Sequence, residues 1–204
     1  TVAKDSRNAQ CTKFDESTAQ NRVDEKDMRG AVGRQAAREK LGAHGEMEKL
    51  CRHHAEYYLA LVQLASQHFA DAEQPIWNSR LKPEYNNLRT ALQWMLDHHE
   101  TEMALNFAAT VWQSWHYLYD PSEGRKWLEQ TLARTRAETG LSELRIQVLN
   151  GLGTLSYLQG DYAAVRAYHH QALELARAIE YKPGIAYALY GLGTWAINQN
   201  DYAW

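Results

Sequence analysis

An internal repeat with a period of forty residues constrains this chain more than any other feature. Gly151-Leu152-Gly153-Thr154 returns as Gly191-Leu192-Gly193-Thr194, and Gln159-Gly160-Asp161-Tyr162-Ala163 returns as Gln199-Asn200-Asp201-Tyr202-Ala203, in the same order and at the same offset. Each unit reads as a helix with small residues at mid-length, a turn on Gly or Asn followed by Asp, and a second helix. Small residues let the first helix approach its partner closely. Gly160 or Asn200 suits the left-handed conformation of the turn. Asp161 and Asp201 are placed to cap the second helix by accepting its orphan amide hydrogens. A weaker echo precedes both copies: Trp112 to Tyr119, the turn Asp120-Pro121-Ser122-Glu123, then Trp127 to Arg136. The expectation is a solenoid of helical hairpins.

The rest of the chain agrees with an all-α fold. Glu46 to Ala70 carries Leu50, His54, Tyr57 or Tyr58, Leu61, Leu64, Ala65 and Phe69 at three- and four-residue intervals, which predicts an amphipathic helix. A connection is expected around Asp71 to Pro75, and Pro83 permits a kink or a new start. The next helix bears Leu88, Ala91, Leu92 and Met95 on one face. Further helices are expected from about Glu102 to Tyr119 and from Ser122 to Ala137, with Pro121 between them. Upstream, Ala36 to Leu41 is strong helix-forming material, and Gly42 and Gly45 punctuate its end. No alternating strand pattern and no Asn-Gly hairpin signal occurs. Three regions follow: a polar N-terminal segment over 1–34, a helical linker with divergent first hairpins over 35–140, and the repeats over 141–204, the second cut short. The chain opens on Thr1 and stops on Asn200 to Trp204, which reads as the start of a helix, so a fragment of something longer is expected.

Composition bounds the function. The 204 residues are 45% hydrophobic and 23% charged, with a net charge of -3. That is material for one or two domains with a sizeable core. The slight negative charge argues against direct nucleic-acid binding. No apolar run approaches the roughly 18 residues of a membrane helix, nor do the first thirty residues hold a signal peptide's apolar stretch. Cys11 and Cys51 form no C-x-x-C and read as two free thiols in a reducing compartment, so a cytoplasmic location is expected.

Gly160-Asp161-Tyr162-Ala163 after a small-residue helix, followed by Ala172-Leu173-Glu174-Leu175-Ala176, resembles a tetratricopeptide repeat. The longer period is similar to repeats of the maltose-regulator type in large bacterial signalling ATPases. His54-Ala55-x-x-Tyr58-Leu59-Ala60-Leu61, then Glu84-Tyr85-Asn86-Asn87-Leu88-Arg89-Thr90-Ala91-Leu92-Gln93-Trp94, then Gly124-Arg125-Lys126-Trp127-Leu128-Glu129, extend the likeness. In that order they resemble the segment that joins the winged-helix part of STAND-type ATPases and transcriptional regulators to their tetratricopeptide array. The resemblance spans about residues 35–204. It departs from the family at Gly30 and Gly33, where helix is expected, and residues 1–27 give no winged-helix wing. No G-x-x-x-x-G-K-[ST] occurs, so any phosphate-cradling loop lies outside this chain. The resemblance implies a right-handed solenoid and an ATPase domain elsewhere in the same polypeptide.

Candidate chemistry is sparse. His53-His54, His98-His99 and His169-His170 are adjacent pairs that diverge by about 100° on a helix, and no His-x-x-x-His occurs. One member of each is expected to face the core and the other water, with no metal bound. Cys51 lies beside His53 and His54 without an orienting third group. Pairs such as Glu46 with Glu48, or Asp15 with Glu16, sit in charged surroundings that would not raise a pKa. No catalytic residue and no cofactor is assigned, and the chain is read as not an enzyme.

Binding is the better expectation. Trp112, Trp115 and Tyr119 form an aromatic stripe, with Trp94 and Trp127 on flanking helices; it reads as hairpin core or as an apolar pocket between successive hairpins. On the register of the repeat, Leu149, Leu152 and Gly153 pack inward. Gln147, Asn150, Thr154 and Tyr157 then line a concave groove, and the next unit adds Tyr187, Tyr190, Thr194 and Asn198. The set is polar, aromatic and nearly uncharged, without the Lys/Arg cluster of a carboxylate clamp. Its expected partner is a protein, a peptide or a small effector, with no nucleic acid and no membrane. Trp204 and the outer side of the helix from Pro183 to Asn198 offer a surface through which two isolated chains could pair. The expected function is the sensor or interaction region of a larger signalling ATPase, a transcriptional regulator; the alternative is a stand-alone adaptor.

Overall fold

The computed structural model describes residues 45–69, 71–117, 120–136 and 140–198. The expectations on segment 1–34, on Ala36 to Leu41, and on Tyr119, Ala137, Asn200, Asp201 and Trp204 lie outside the described residues. Every regular element described is helical: α1 (Glu46–Ser66), α2 (Gln74–Leu81), a 3-10 turn (Lys82–Glu84), α3 (Tyr85–Asp97), α4 (Thr101–Tyr117), α5 (Pro121–Arg134), α6 (Ser142–Leu158), α7 (Tyr162–Ala178) and α8 (Lys182–Asn198). The all-α expectation holds. No helix among the described residues is long and apolar enough to cross a membrane.

Local chemistry sets the boundaries. α1 follows Gly45, whose φ of 65° suits glycine. Its buried face is Met47, Cys51, His54, Ala55, Tyr58, Val62 and Ala65. Of the expected stripe, Tyr57 is 60% and Leu64 is 47% exposed. Each sits one residue, about 100° of rotation, away from the buried Tyr58 or Ala65. The expected connection around Asp71 to Pro75 is shorter than anticipated, because Pro75 lies in the first turn of α2. Only Trp77 and Leu81 of that helix are buried, too few apolar positions to announce it.

Three turns share one construction. His99 (φ 57°), Gly160 (φ 70°) and Glu180 (φ 55°) adopt the left-handed conformation. In each, the next amide donates to a carbonyl five residues back: Glu100 to Met95 at 2.9 Å, Asp161 to Ser156 at 3.0 Å, Tyr181 to Ala176 at 2.8 Å. This is the Schellman closure, which satisfies carbonyls at a helix end and reverses the chain. Asp161 then caps α7, its carboxylate accepting from the Ala164 amide at 3.1 Å, and Asp120 caps α5 through the Ser122 amide at 2.9 Å.

The packing has a stepwise order. α1 pairs with α3, α4 with α5, and α6 with α7. α1, α4, α6 and α8 also touch in succession, making one row, and α3, α5 and α7 each pack against two members of that row. The larger buried cluster runs from Met47 to Leu155, and the smaller gathers Ile146, Leu149, Ala172, Leu173, Ala176, Ala188 and Leu192. Leu132 and Tyr168 pack against both clusters and join them. Leu149, Leu152 and Gly153 are buried as the repeat register requires.

The cysteine expectation fails at Cys51. This residue is 3% exposed on the inner face of α1 and is disulfide-bonded, not a free thiol. The chain's other cysteine, Cys11, lies outside the described residues. Spacing along a chain sets no lower bound on distance in space, so the absence of C-x-x-C carried no information about a bond of longer range.

Candidate functional site

Residues three and four apart on α6 and on α8, with an adjacent pair on α4, border a cavity of about 400 Å³. α6 contributes Thr154, Tyr157 and Leu158, and α8 contributes Tyr187, Tyr190, Gly191 and Thr194. Trp112 and Gln113 come from α4, Ser66 and Phe69 from the end of α1 and the turn after it, and Val165 and His169 from α7. A second hollow of about 210 Å³ shares Trp112, Gln113 and Tyr187 with the first and adds Gln147, Asn150 and Tyr181. The rings of Trp112 and Tyr187 meet edge-on with centroids 6.3 Å apart, where the two hollows adjoin.

Of the eight groove residues expected from the repeat, Thr154, Tyr157, Tyr187, Tyr190 and Thr194 line the larger cavity. Gln147 and Asn150 line the smaller. Asn198 lines neither, and its amide donates to the Tyr157 hydroxyl at 3.1 Å. Several of these residues bond one another across the gap between α6 and α8. The Thr154 and Tyr187 hydroxyls lie 3.3 Å apart, and Gln147 donates at 3.4 Å to the hydroxyl of Tyr181, in the turn before α8. Asn150 differs from the rest, being 5% exposed, with its side-chain oxygen 3.1 Å from Nδ1 of His169. It orients a buried ring more than it faces the groove.

His169 is held in a slot. A Cβ added at Gly153 would stand 2.4 Å from its Nε2, and one at Gly191 would stand 2.3 Å away. Only glycine lets α6 and α8 close on the ring from their respective helices. Burial, with His170 nearby, lowers the His169 pKa from 6.5 to about 4, so the ring is neutral at physiological pH. Its Nδ1–H then donates to Asn150. The histidine pairs divide largely as expected: His54 and His169 are buried while His53 is exposed and His170 half-buried.

The electrostatics are those of a neutral site. Among the described residues lining the two hollows, none carries a charge. Arg125 instead joins α5 to the α6–α7 turn, reaching Asp161 at 2.7 Å and Glu129 at 2.9 Å. The Arg125 guanidinium, followed by the Ala164 amide, holds the Asp161 carboxyl below its usual range. Within the cavity wall, Oε1 of Gln113 is buried and has no hydrogen-bond partner among the described residues.

Sequence reasoning missed part of this wall. Trp112 of the aromatic stripe and His169 of a histidine pair both line the cavity; Trp115 is buried against Gly124. Phe69 belongs to the apolar stripe read for α1 without being marked as a groove residue, and Ser66, Gln113 and Val165 carried no signal, because they come from stretches where the period is weak or the residue type is ordinary. No group of three or more His, Cys, Asp or Glu side chains placed for a metal ion occurs among the described residues. What the arrangement can do chemically is enclose an uncharged group between aromatic walls and hydrogen-bond it through amide and hydroxyl side chains. No family model, curated protein or solved structure matches the chain.

Proposed function

We propose that this chain is the effector- or partner-binding tetratricopeptide-like region of a larger STAND-type signalling ATPase, a transcriptional regulator. One observation carries the reading. The row of α1, α4, α6 and α8 gathers side chains from successive units around one cavity, and seven of the eight residues expected on a concave face line it or the adjoining hollow. The stepwise packing, with one helix of each hairpin in a row and the other behind it, supports the reading as a helical-hairpin solenoid.

In this mechanism an effector or partner spans neighbouring hairpins and favours the arrangement of units that fits it. The ATPase domain of the same polypeptide then shifts toward the state compatible with that arrangement. Differential affinity for the two states is the only requirement.

The test is to read the coding sequence on both sides of this segment. A phosphate-cradling G-x-x-x-x-G-K-[ST] upstream, with further forty-residue units downstream, is the expected result. A start codon beside Thr1 and no nucleotide-binding motif would overturn the ATPase and leave a stand-alone adaptor.

A further inference from the structure

Taking the groove as a binding site, as the preceding reading does, we infer that its occupant is a small, uncharged, ring-bearing molecule with a hydrogen-bond donor, held by Gln113 and the Trp112 and Tyr187 rings. Charge decides the first property. Among the described residues no charged side chain lines either hollow, and an ion taken there from water would lose its hydration with no counter-charge in return. Shape decides the second. Phe69, Trp112, Tyr157, Tyr187 and Tyr190 supply five aromatic rings to the larger cavity, and aromatic walls favour a ring that offers stacked or edge contact.

The donor follows from Gln113. Its Oε1 is buried without a hydrogen-bond partner among the described residues, although Gln113 lines both hollows. A buried acceptor left unpaired is uncommon in a folded protein. An N–H or O–H on the occupant would satisfy it once the Gln113 amide turns toward the hollows that its side chain lines.

The lining also favours a small molecule over an extended peptide. A peptide would run its amides past α6 and α8 and would need free polar groups at intervals. Those groups are already taken: Thr154 bonds Tyr187, and Tyr157 bonds Asn198. The depth available is also limited, since His169, which lines the cavity, is wedged against Gly153 and Gly191. A cavity of about 400 Å³ falls within the range of sites for small ligands.

Three probes of one shape separate the properties: 2-naphthol, 2-methoxynaphthalene and 2-naphthoate, titrated calorimetrically into the full chain at neutral pH. The expected result is one 2-naphthol per chain. Losing the donor in 2-methoxynaphthalene should weaken binding about tenfold, and the charge of 2-naphthoate should weaken it at least as much. Gln113→Leu should erase the preference for 2-naphthol over its methyl ether, and Thr154→Trp should fill the cavity and abolish binding of all three, with helicity retained by circular dichroism. Equal binding of 2-naphthoate overturns the inference, as does a preference that survives Gln113→Leu. Saturable binding of a tyrosine-rich peptide, lost in Thr154→Trp, without any 2-naphthol binding, overturns the ligand class while leaving the groove a binding site. Failure of the flanking sequence to encode an ATPase leaves the probe series untouched, so the two readings fall separately.

Discussion

The two copies of Gly-Leu-Gly-Thr are identical in sequence and meet different neighbours. Gly153 sits against the ring of His169, whereas the matching Gly193 has nothing among the described residues within 4 Å of where a Cβ would stand. Gly191 presses on the same His169 ring, while its match Gly151 faces Trp112, with a Cβ position 2.8 Å from the indole. A repeat thus specifies where small residues stand. What they must be small for depends on the side chain that the adjoining unit delivers, and among the described residues only one copy of the second glycine meets one. The contrast makes a directional claim: the same substitution should have opposite signs in the two copies.

The largest expected effect concerns the ring itself. His169 ionises near pH 6.5 when unfolded, but burial lowers that value to about 4 in the fold. Above the unfolded pKa both states are neutral and the site is indifferent to pH. As pH falls below it, the unfolded chain takes up a proton that the folded chain refuses, so stability is lost between 6.5 and about 4. The full loss is about 3 kcal/mol for this one site. His54, also lowered to about 4 by burial, behaves alike in α1. Urea unfolding at neutral pH and near pH 4 should show the loss, and His169→Gln should remove about half of it. A pH dependence unchanged by His169→Gln would mean that the ring is not sealed in its slot, and the contrast between the glycines would lose its cause.

Next in size are the two glycines that close on the ring. Gly153→Ala and Gly191→Ala each place a methyl where His169 stands, and Asn150 on one side limits the ring's escape. Overpacking of this kind should cost about 2 kcal/mol, even after the helix-propensity gain of alanine. The decisive measurement is a double-mutant cycle. In a His169→Ala background the clash is gone, and Gly153→Ala should then stabilise the protein by roughly 1 kcal/mol. A cost that persists without the ring would assign the glycine to backbone conformation and not to the close approach of two helices.

Legibility in the sequence followed the range of the interactions. Gly160 in its left-handed turn and Asp161 on the Ala164 amide were readable because each is decided within about five residues, and the forty-residue period made them visible twice. The same period located Thr154, Tyr157, Tyr187, Tyr190 and Thr194 around one cavity. Where the period fades, so did the reading. Gln113 sits beside Trp112 with nothing in its type or spacing to mark it, yet its oxygen is a buried acceptor in the wall. α2 escaped notice because Trp77 and Leu81, its buried residues, are too few to form a stripe. Leu64 fits the inward stripe by spacing yet points out, since neighbouring positions such as Ala65 serve the amphipathic pattern nearly as well and only the packed neighbours choose between them. Asn150 belonged to the right face, but its partner His169 lies on the other helix of the hairpin, a relation the linear sequence does not display.

The smallest expected effect completes the comparison. Gly193 lies in the interior of α8, exposed, with open space at its Cβ position among the described residues. Gly193→Ala should therefore gain stability, by roughly 0.5–1 kcal/mol, because alanine loses less backbone entropy on entering a helix and meets no neighbour. Thermal unfolding at several protein concentrations tests this directly. A gain independent of concentration leaves the two copies doing different work, one closing on a ring and the other free. A loss that deepens as concentration rises would show a second chain packing on this face, beside Leu189, Tyr190 and Ile197, which are 44%, 71% and 63% exposed. The open copy would then need its small residue for the reason Gly153 does, and the difference between the repeats would belong to the isolated chain and vanish in the pair.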